Sequence, residues 1–187
     1  MRFRHADVRD LFLIAHTHLR ATLSRYAALD PSHWRFERRP GGRPELRRGP
    51  GIPDLRFNLS HTPGLVACVV THAAACGVDV EREGAVADRD GIAEIVLDGD
   101  ERAAVAHRPQ DLLAYWTLKE SYVKATGAGL RVALRDIHFE LRDAPAISFD
   151  HGLDAADGWV FSHGRPTARH HLAVAVRPSR AVQVYWA

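Results

Sequence analysis

The sequence predicts an α+β fold. Two helical segments, 8–29 and 110–126, stand among short β-branched and aromatic runs, and both halves of the chain read as helix plus antiparallel sheet. The 187 residues suit one large domain or two small lobes sharing a core. A chain of this length buries ~70% of its unfolded surface. With 46% hydrophobic and 26% charged residues, disorder is excluded over most of the length.

Residues 8–29 form the first helix, because Leu11, Ile14, Ala15, His18, Leu19 and Leu23 keep a 3.6-residue period. Asp30-Pro31 ends it. A short strand fits 34–38. The Gly, Pro and Arg of 39–53 read as a surface loop or an irregular hairpin. Strands follow at 55–60 and 65–71, joined by a turn at Pro63-Gly64. The second strand is apolar throughout and reads as buried. Residues 76–81 alternate as a further strand, and polar 82–91 connects two halves. Asp98 or Asp100 caps a helix through Ala106, and Pro109 stops it. The helix 110–126 closes at Gly127. Strands are expected at 137–141, 146–149, 159–163 and 172–176. A loose duplication of one α+β unit fits this order, with a division near residue 82 into lobes 1–82 and 83–187.

The bulk charge narrows the partners. A net charge of +2 permits an anionic ligand or acidic partner without demanding nucleic acid. Arg35, Arg38, Arg39, Arg43, Arg47 and Arg48 make a basic stretch without the aromatic interleaving of a nucleic-acid surface. Of these, Arg43 stands out between Gly42 and Pro44. Two cysteines, Cys68 and Cys76, give no disulfide framework. No apolar run reaches the ~18 residues of a membrane span, and the first residues lack a secretory apolar core. A cytoplasmic protein is expected. His163, His170 and His171 lack zinc-like spacing and read as surface residues.

Three constellations carry chemistry. In Gly77-Val78-Asp79-Val80-Glu81, strand period two sends Asp79 and Glu81 to one face. Two adjacent hard oxygen donors suit Mg²⁺, which keeps waters and takes substrate phosphate into its shell. A solvated strand end fits the same pair. On the helix 110–126, Trp116, Glu120 and Lys124 line one face, with Lys119 one position round. A carboxylate between two lysines suits a metal-phosphate site, and an exposed Glu-Lys pair fits the spacing as well. At the turn after 55–60, Ser60 and His61 with backbone N–H groups suit a phosphate, though an ordinary turn also fits.

Taken together and in this order, the motifs resemble the 4′-phosphopantetheinyl transferase family, in its larger, surfactin-synthetase-activating type. They are F-N-L-S-H-T-P-G at 57–64, G-V-D-V-E at 77–81 and W-T-L-K-E-S-Y-V-K-A-T-G-A-G-L at 116–130. A weaker likeness runs through Leu29-Asp30-Pro31 and Gly42-Arg43-Pro44, where the family usually has G-K-P. The resemblance covers roughly 2–141. It implies two pseudo-symmetric α+β lobes with the active site in the cleft between them.

The resemblance further implies transfer of the phosphopantetheine arm of coenzyme A to a serine of an apo carrier protein, releasing adenosine 3′,5′-bisphosphate. It implies Mg²⁺ on Asp79, Glu81 and Glu120. Coenzyme A phosphates would lie on His61, Lys124, Lys119 and Ser60, with Arg43 near the adenosine end. Glu120 is the expected general base and Lys124 the second catalytic group. Glu101 falls where the family has an acid leading a helix. An acidic carrier domain would be steered by Arg131, Arg135 and the Arg47-Arg48 loop, with the enzyme a monomer. Family members carry a few tens of residues before the pair seen here as Arg2-Phe3, with basic residues for the 3′-phosphate. Their absence implies weaker coenzyme A binding, or a non-catalytic coenzyme A-binding relative.

Overall fold

A computed structural model describes residues 6–38, 42–141, 146–149 and 158–178. Arg39 and the Arg2-Phe3 pair lie outside the described residues. The chain is α+β. Helix α1 (Ala6–Ser24) leads to the antiparallel pair β1 (Phe36–Arg38) and β2 (Pro44–Leu46). The hairpin β3 (Leu55–Thr62) and β4 (Leu65–His72) follows, then β5 (Ala75–Arg82). Helices α2 (Arg89–Val96), α3 (Gly99–His107) and α4 (Leu112–Thr126) precede two antiparallel pairs. These are β6 (Ile137–Glu140) with β7 (Ala146–Phe149), and β8 (Val160–Thr167) with β9 (His170–Arg177).

Helix α1 stops at Ser24, short of residue 29. The Ser24 hydroxyl accepts from the Trp34 indole at 2.9 Å, and Asp30 caps a short 3-10 turn over Pro31–His33. Ala15, Leu19 and Leu23 are buried against a core of Trp34, Leu46, Leu55 and Phe57. Ile14, placed on that stripe by the periodicity, is exposed instead.

The central sheet runs β5–β9–β8, all antiparallel. Strand β5 therefore joins the first half of the chain to the last described strand, pairing from Ala75↔Arg177 to Arg82↔His170. Both of its faces are covered. Cys76, Val78 and Val80 pack with Leu172, Val174 and Val176 against β4. The opposite face meets α4, whose Leu118 and Tyr122 join Ala173, Ala175 and Phe161 in the main core.

The free edge of β5 is closed by side chains of β3. Asn58 Oδ1 accepts from Val78 N at 2.9 Å and Ser60 Oγ from Val80 N at 3.3 Å. Two backbone donors that a ladder would satisfy are thereby paired.

Gly77 sets the distance between α4 and β5. A Cβ there would lie 2.6 Å from Ala125 N and closer still to Ser121 O. Both are backbone atoms, which cannot rotate away. Gly77→Ala is expected to destabilise by about 1–3 kcal/mol, as overpacking does. Gly99→Ala, where nothing lies within 4 Å, should cost nothing. Urea unfolding of the two variants beside wild type checks the contrast.

Candidate active site

The period of β5 and the pitch of α4 meet at one spot. Asp79 and Glu81 share the face of Gly77, because strand side chains alternate. Helix α4 crosses that face, and Glu120 and Lys124, four residues apart, lie on one side of the helix. Lys124 Nζ reaches Asp79 Oδ1 at 2.5 Å and Ser60 Oγ at 3.1 Å. Ser60 in turn donates to Asp79 Oδ1 at 3.0 Å. Three elements distant in sequence, β3, β5 and α4, thus share one polar cluster.

Asp79 is 3% exposed, so its charge is scarcely screened by water. Its second oxygen, Oδ2, is buried with no hydrogen-bond partner among the described residues. Burial first, then Asp79, pushes Glu81 up to about 7 despite Lys124. Glu120 also contributes to that rise. Burial and Asp79 raise Glu120 too, while Lys124 and a hydrogen bond from Trp116 pull it back.

Three carboxylates held this close with one ammonium are short of positive charge. The orphaned Asp79 oxygen and the all-oxygen donor set fit a hard divalent cation. As the side chains stand, no three His, Cys, Asp or Glu among the described residues converge tightly enough to hold a metal. Lys124 meanwhile gives Asp79 its one close cation among the described residues.

His61 follows Ser60 but points the other way. Ser60 is buried and His61 exposed, as alternation demands. His61 stands near His16 of α1, which is held below the usual imidazole range by burial, then Arg20, then His61. Ser60 is fully engaged: its one hydroxyl hydrogen goes to Asp79, and its oxygen accepts from Val80 N and Lys124. A phosphate on Ser60 would need that hydrogen turned away from Asp79.

Two expected ligand residues lie elsewhere. Lys119 is fully buried, and its ammonium donates to Val96 O at 2.7 Å and to Glu101. The 100° turn per residue carries it from the Glu120 face into the core beneath α3. Glu101 itself is buried in a capping box with Asp98 and accepts from Phe139 N at 2.9 Å. It is the helix-leading acid, and it serves α3, α4 and β6 as a structural anchor. Arg43, expected near a nucleotide, gives all its terminal N–H groups to backbone carbonyls.

The histidines expected at the surface are also inside. His170 and His171 are buried in β9. His171 takes part in a chain from His163 at 3.3 Å to Glu83 at 3.3 Å. Burial, His171 and Arg165 hold His163 down at about 4.

A family model for the 4′-phosphopantetheinyl transferase superfamily matches residues 75–175. The chain is 30% identical over 180 residues to the 4′-phosphopantetheinyl transferase HetI of Nostoc sp., covering 94% of this chain and 74% of that protein. It is 27% identical over 154 residues to the 4′-phosphopantetheinyl transferase Sfp of Bacillus subtilis, covering 80% of this chain and 66% of that one. Among the described residues, no helix is long and apolar enough to cross a membrane.

The raised carboxyls make stability pH-dependent. An ordinary Glu loses its proton near pH ~4.3, whereas folded Glu81 holds it to about 7. Between those values the native state binds the extra proton, so this contribution falls as pH rises. His163 acts in the opposite sense over part of the range, gaining stability as pH rises. The difference between wild type and Glu81→Gln isolates the Glu81 part. In metal-free buffer the variant should gain on wild type in melting temperature as pH rises through that window. Lys119→Met strands a buried carboxylate and is expected to cost about 3–5 kcal/mol in urea unfolding without ligand.

Proposed function

Because the chain belongs to the 4′-phosphopantetheinyl transferase superfamily, we propose that this cluster transfers the 4′-phosphopantetheine arm of coenzyme A to a serine of an apo carrier protein. The observation that carries the residue assignment is Lys124 bridging Asp79 and Ser60 beside two carboxyls that burial and Asp79 raise above the usual range. The carrier serine hydroxyl attacks the phosphorus that bears the pantetheine arm. The P–O bond to the nucleotide breaks, and adenosine 3′,5′-bisphosphate leaves with the bonding electron pair. Such transfers depend mostly on positioning and charge stabilisation.

In this reading Lys124 holds the pyrophosphate, His61 on the opposite face of β3 does not share it, and Glu120 takes the serine proton. A carboxyl raised by burial is a stronger base than an exposed one, which supports that role. Asp79, Glu81 and Glu120 would hold Mg²⁺, which supplies neutralisation of charge developing on the leaving oxygen. Exposed Arg135 and Arg47 face solvent and suit an acidic carrier surface, whereas Arg131 donates to Ala128 O and Gly127 O and Arg48 pairs with Asp54 at 2.8 Å. The chain is read as two α+β lobes, 1–82 and 83–187, that share the sheet β5–β9–β8.

Incubation with coenzyme A, Mg²⁺ and a panel of apo carriers should add the arm's mass to a carrier, read by intact-protein mass spectrometry. Asp79→Ala and Glu120→Gln are expected to slow transfer by about 100-fold or more, as loss of a metal or base term does. Near-wild-type rates in either variant would remove that residue from the mechanism.

A further inference from the structure

Arg43 occupies the joint where the three site-bearing elements meet. Its Nη1 donates to Lys124 O at 2.5 Å and Ala125 O at 2.8 Å. Its Nη2 donates to Phe57 O at 3.1 Å and Cys76 O at 2.9 Å. A guanidinium has four terminal N–H bonds, and all four are spent on α4, β3 and β5. Nε lies 3.3 Å from Glu45 Oε1, a charge contact without hydrogen-bond geometry. Glu45 also binds Arg56 at 2.8 Å, so the loop's two charges are fixed from both sides.

Two of the four carbonyls it serves are ones the helix leaves unpaired. Helix α4 turns left-handed at Gly127, whose N–H returns to Val123 O. Lys124 O and Ala125 O therefore lack the intrahelical donors they would have in a longer helix. A cation there is also favoured by the helix dipole. One residue, Lys124, has its carbonyl gripped by Arg43 and its ammonium on Asp79. Cys76 and Ala125, two more of the gripped residues, flank the Gly77 contact between β5 and α4.

Resting on the proposed transfer reaction, we infer that Arg43 is a positioning residue: it locks the end of α4 to β3 and β5 so that Lys124 stays on Asp79. It works through the backbone and holds no nucleotide phosphate. Lysine, which the family usually has at this position, offers one ammonium with three donors on a tetrahedral centre and cannot span the four carbonyls of three elements that Arg43 holds in this chain.

Two measurements test this on Arg43→Lys and Arg43→Ala, and Arg43→Lys suffices if Arg43→Ala does not fold. First, hydrogen exchange of the α4 end, residues 119–130, is followed by mass spectrometry without substrate. Faster exchange there than in wild type is expected, and unchanged exchange overturns the lock. Second, transfer kinetics are compared with coenzyme A and 3′-dephospho-coenzyme A. A positioning loss lowers kcat by about tenfold or more with both, with KM for coenzyme A within about threefold of wild type. A KM that rises with coenzyme A alone overturns the inference, because it places the guanidinium on the 3′-phosphate. Wild type inactive on every carrier would refute the transfer reading, while the exchange result would still decide the lock.

Discussion

Helix α4 can reach the acidic face of β5 only where a strand residue has no side chain. Gly77 is that residue, and backbone of the helix fills the space a Cβ would take. Everything polar in the site follows from this approach. Two residues along the strand, Asp79 faces the same way as Gly77. Three residues beyond Ser121, Lys124 faces back toward the strand. The short link between them, 2.5 Å, needs no long reach by either side chain.

Two neighbouring lysines on α4 show how little the residue type decides. Lys119 is matched: one carboxylate and one backbone carbonyl face it in a fully buried site. That pair is closed, and its acid also caps α3 and binds β6. Lys124 faces three acids and balances only one of them directly. Burial then raises two of the three toward neutrality. A closed pair makes an anchor, whereas an acid excess beside an orphaned oxygen makes a place for added positive charge.

Much of this arrangement was legible in the residues. The alternation of 77–81, the hairpin around Pro63-Gly64 and the helix ending at Gly127 are local signals, and each element lies where its pattern placed it. Strand and helix periods put Asp79 with Glu81 on one face and Glu120 with Lys124 on another, but do not give the contact of Lys124 with Asp79. The misses share one cause, namely that a side chain's direction depends on what packs over it. Helical spacing could not say that Lys119 turns under α3, nor that α1 leaves Ile14 outside. Helix α2 was hidden in a polar stretch, where Asp88 caps it by accepting from Gly91 N at 2.8 Å. His170 and His171 read as polar, yet β9 is buried almost end to end. Arg43 looked like a ligand residue because nothing local reveals that four carbonyls from elsewhere surround it.

Ser60 shows how a fold can take up a polar side chain completely and still leave it useful. A hydroxyl has one hydrogen and two acceptor positions. Here the hydrogen goes to Asp79, and the acceptors take Val80 N–H and the Lys124 ammonium. The same group thus closes the edge of β5 and orients the acid–lysine pair. Because every position is filled, Ser60 has no spare hydrogen for an arriving anion. An anion entering the cluster must compete with Asp79 for the ammonium and the hydroxyl together. Extra positive charge on the Asp79 side would loosen that competition, since it removes the reason for Lys124 and Ser60 to stay on the carboxylate. Metal and phosphate binding are therefore coupled through Asp79 in the proposed reaction, and the residue that transmits the coupling is the one whose backbone Arg43 holds still.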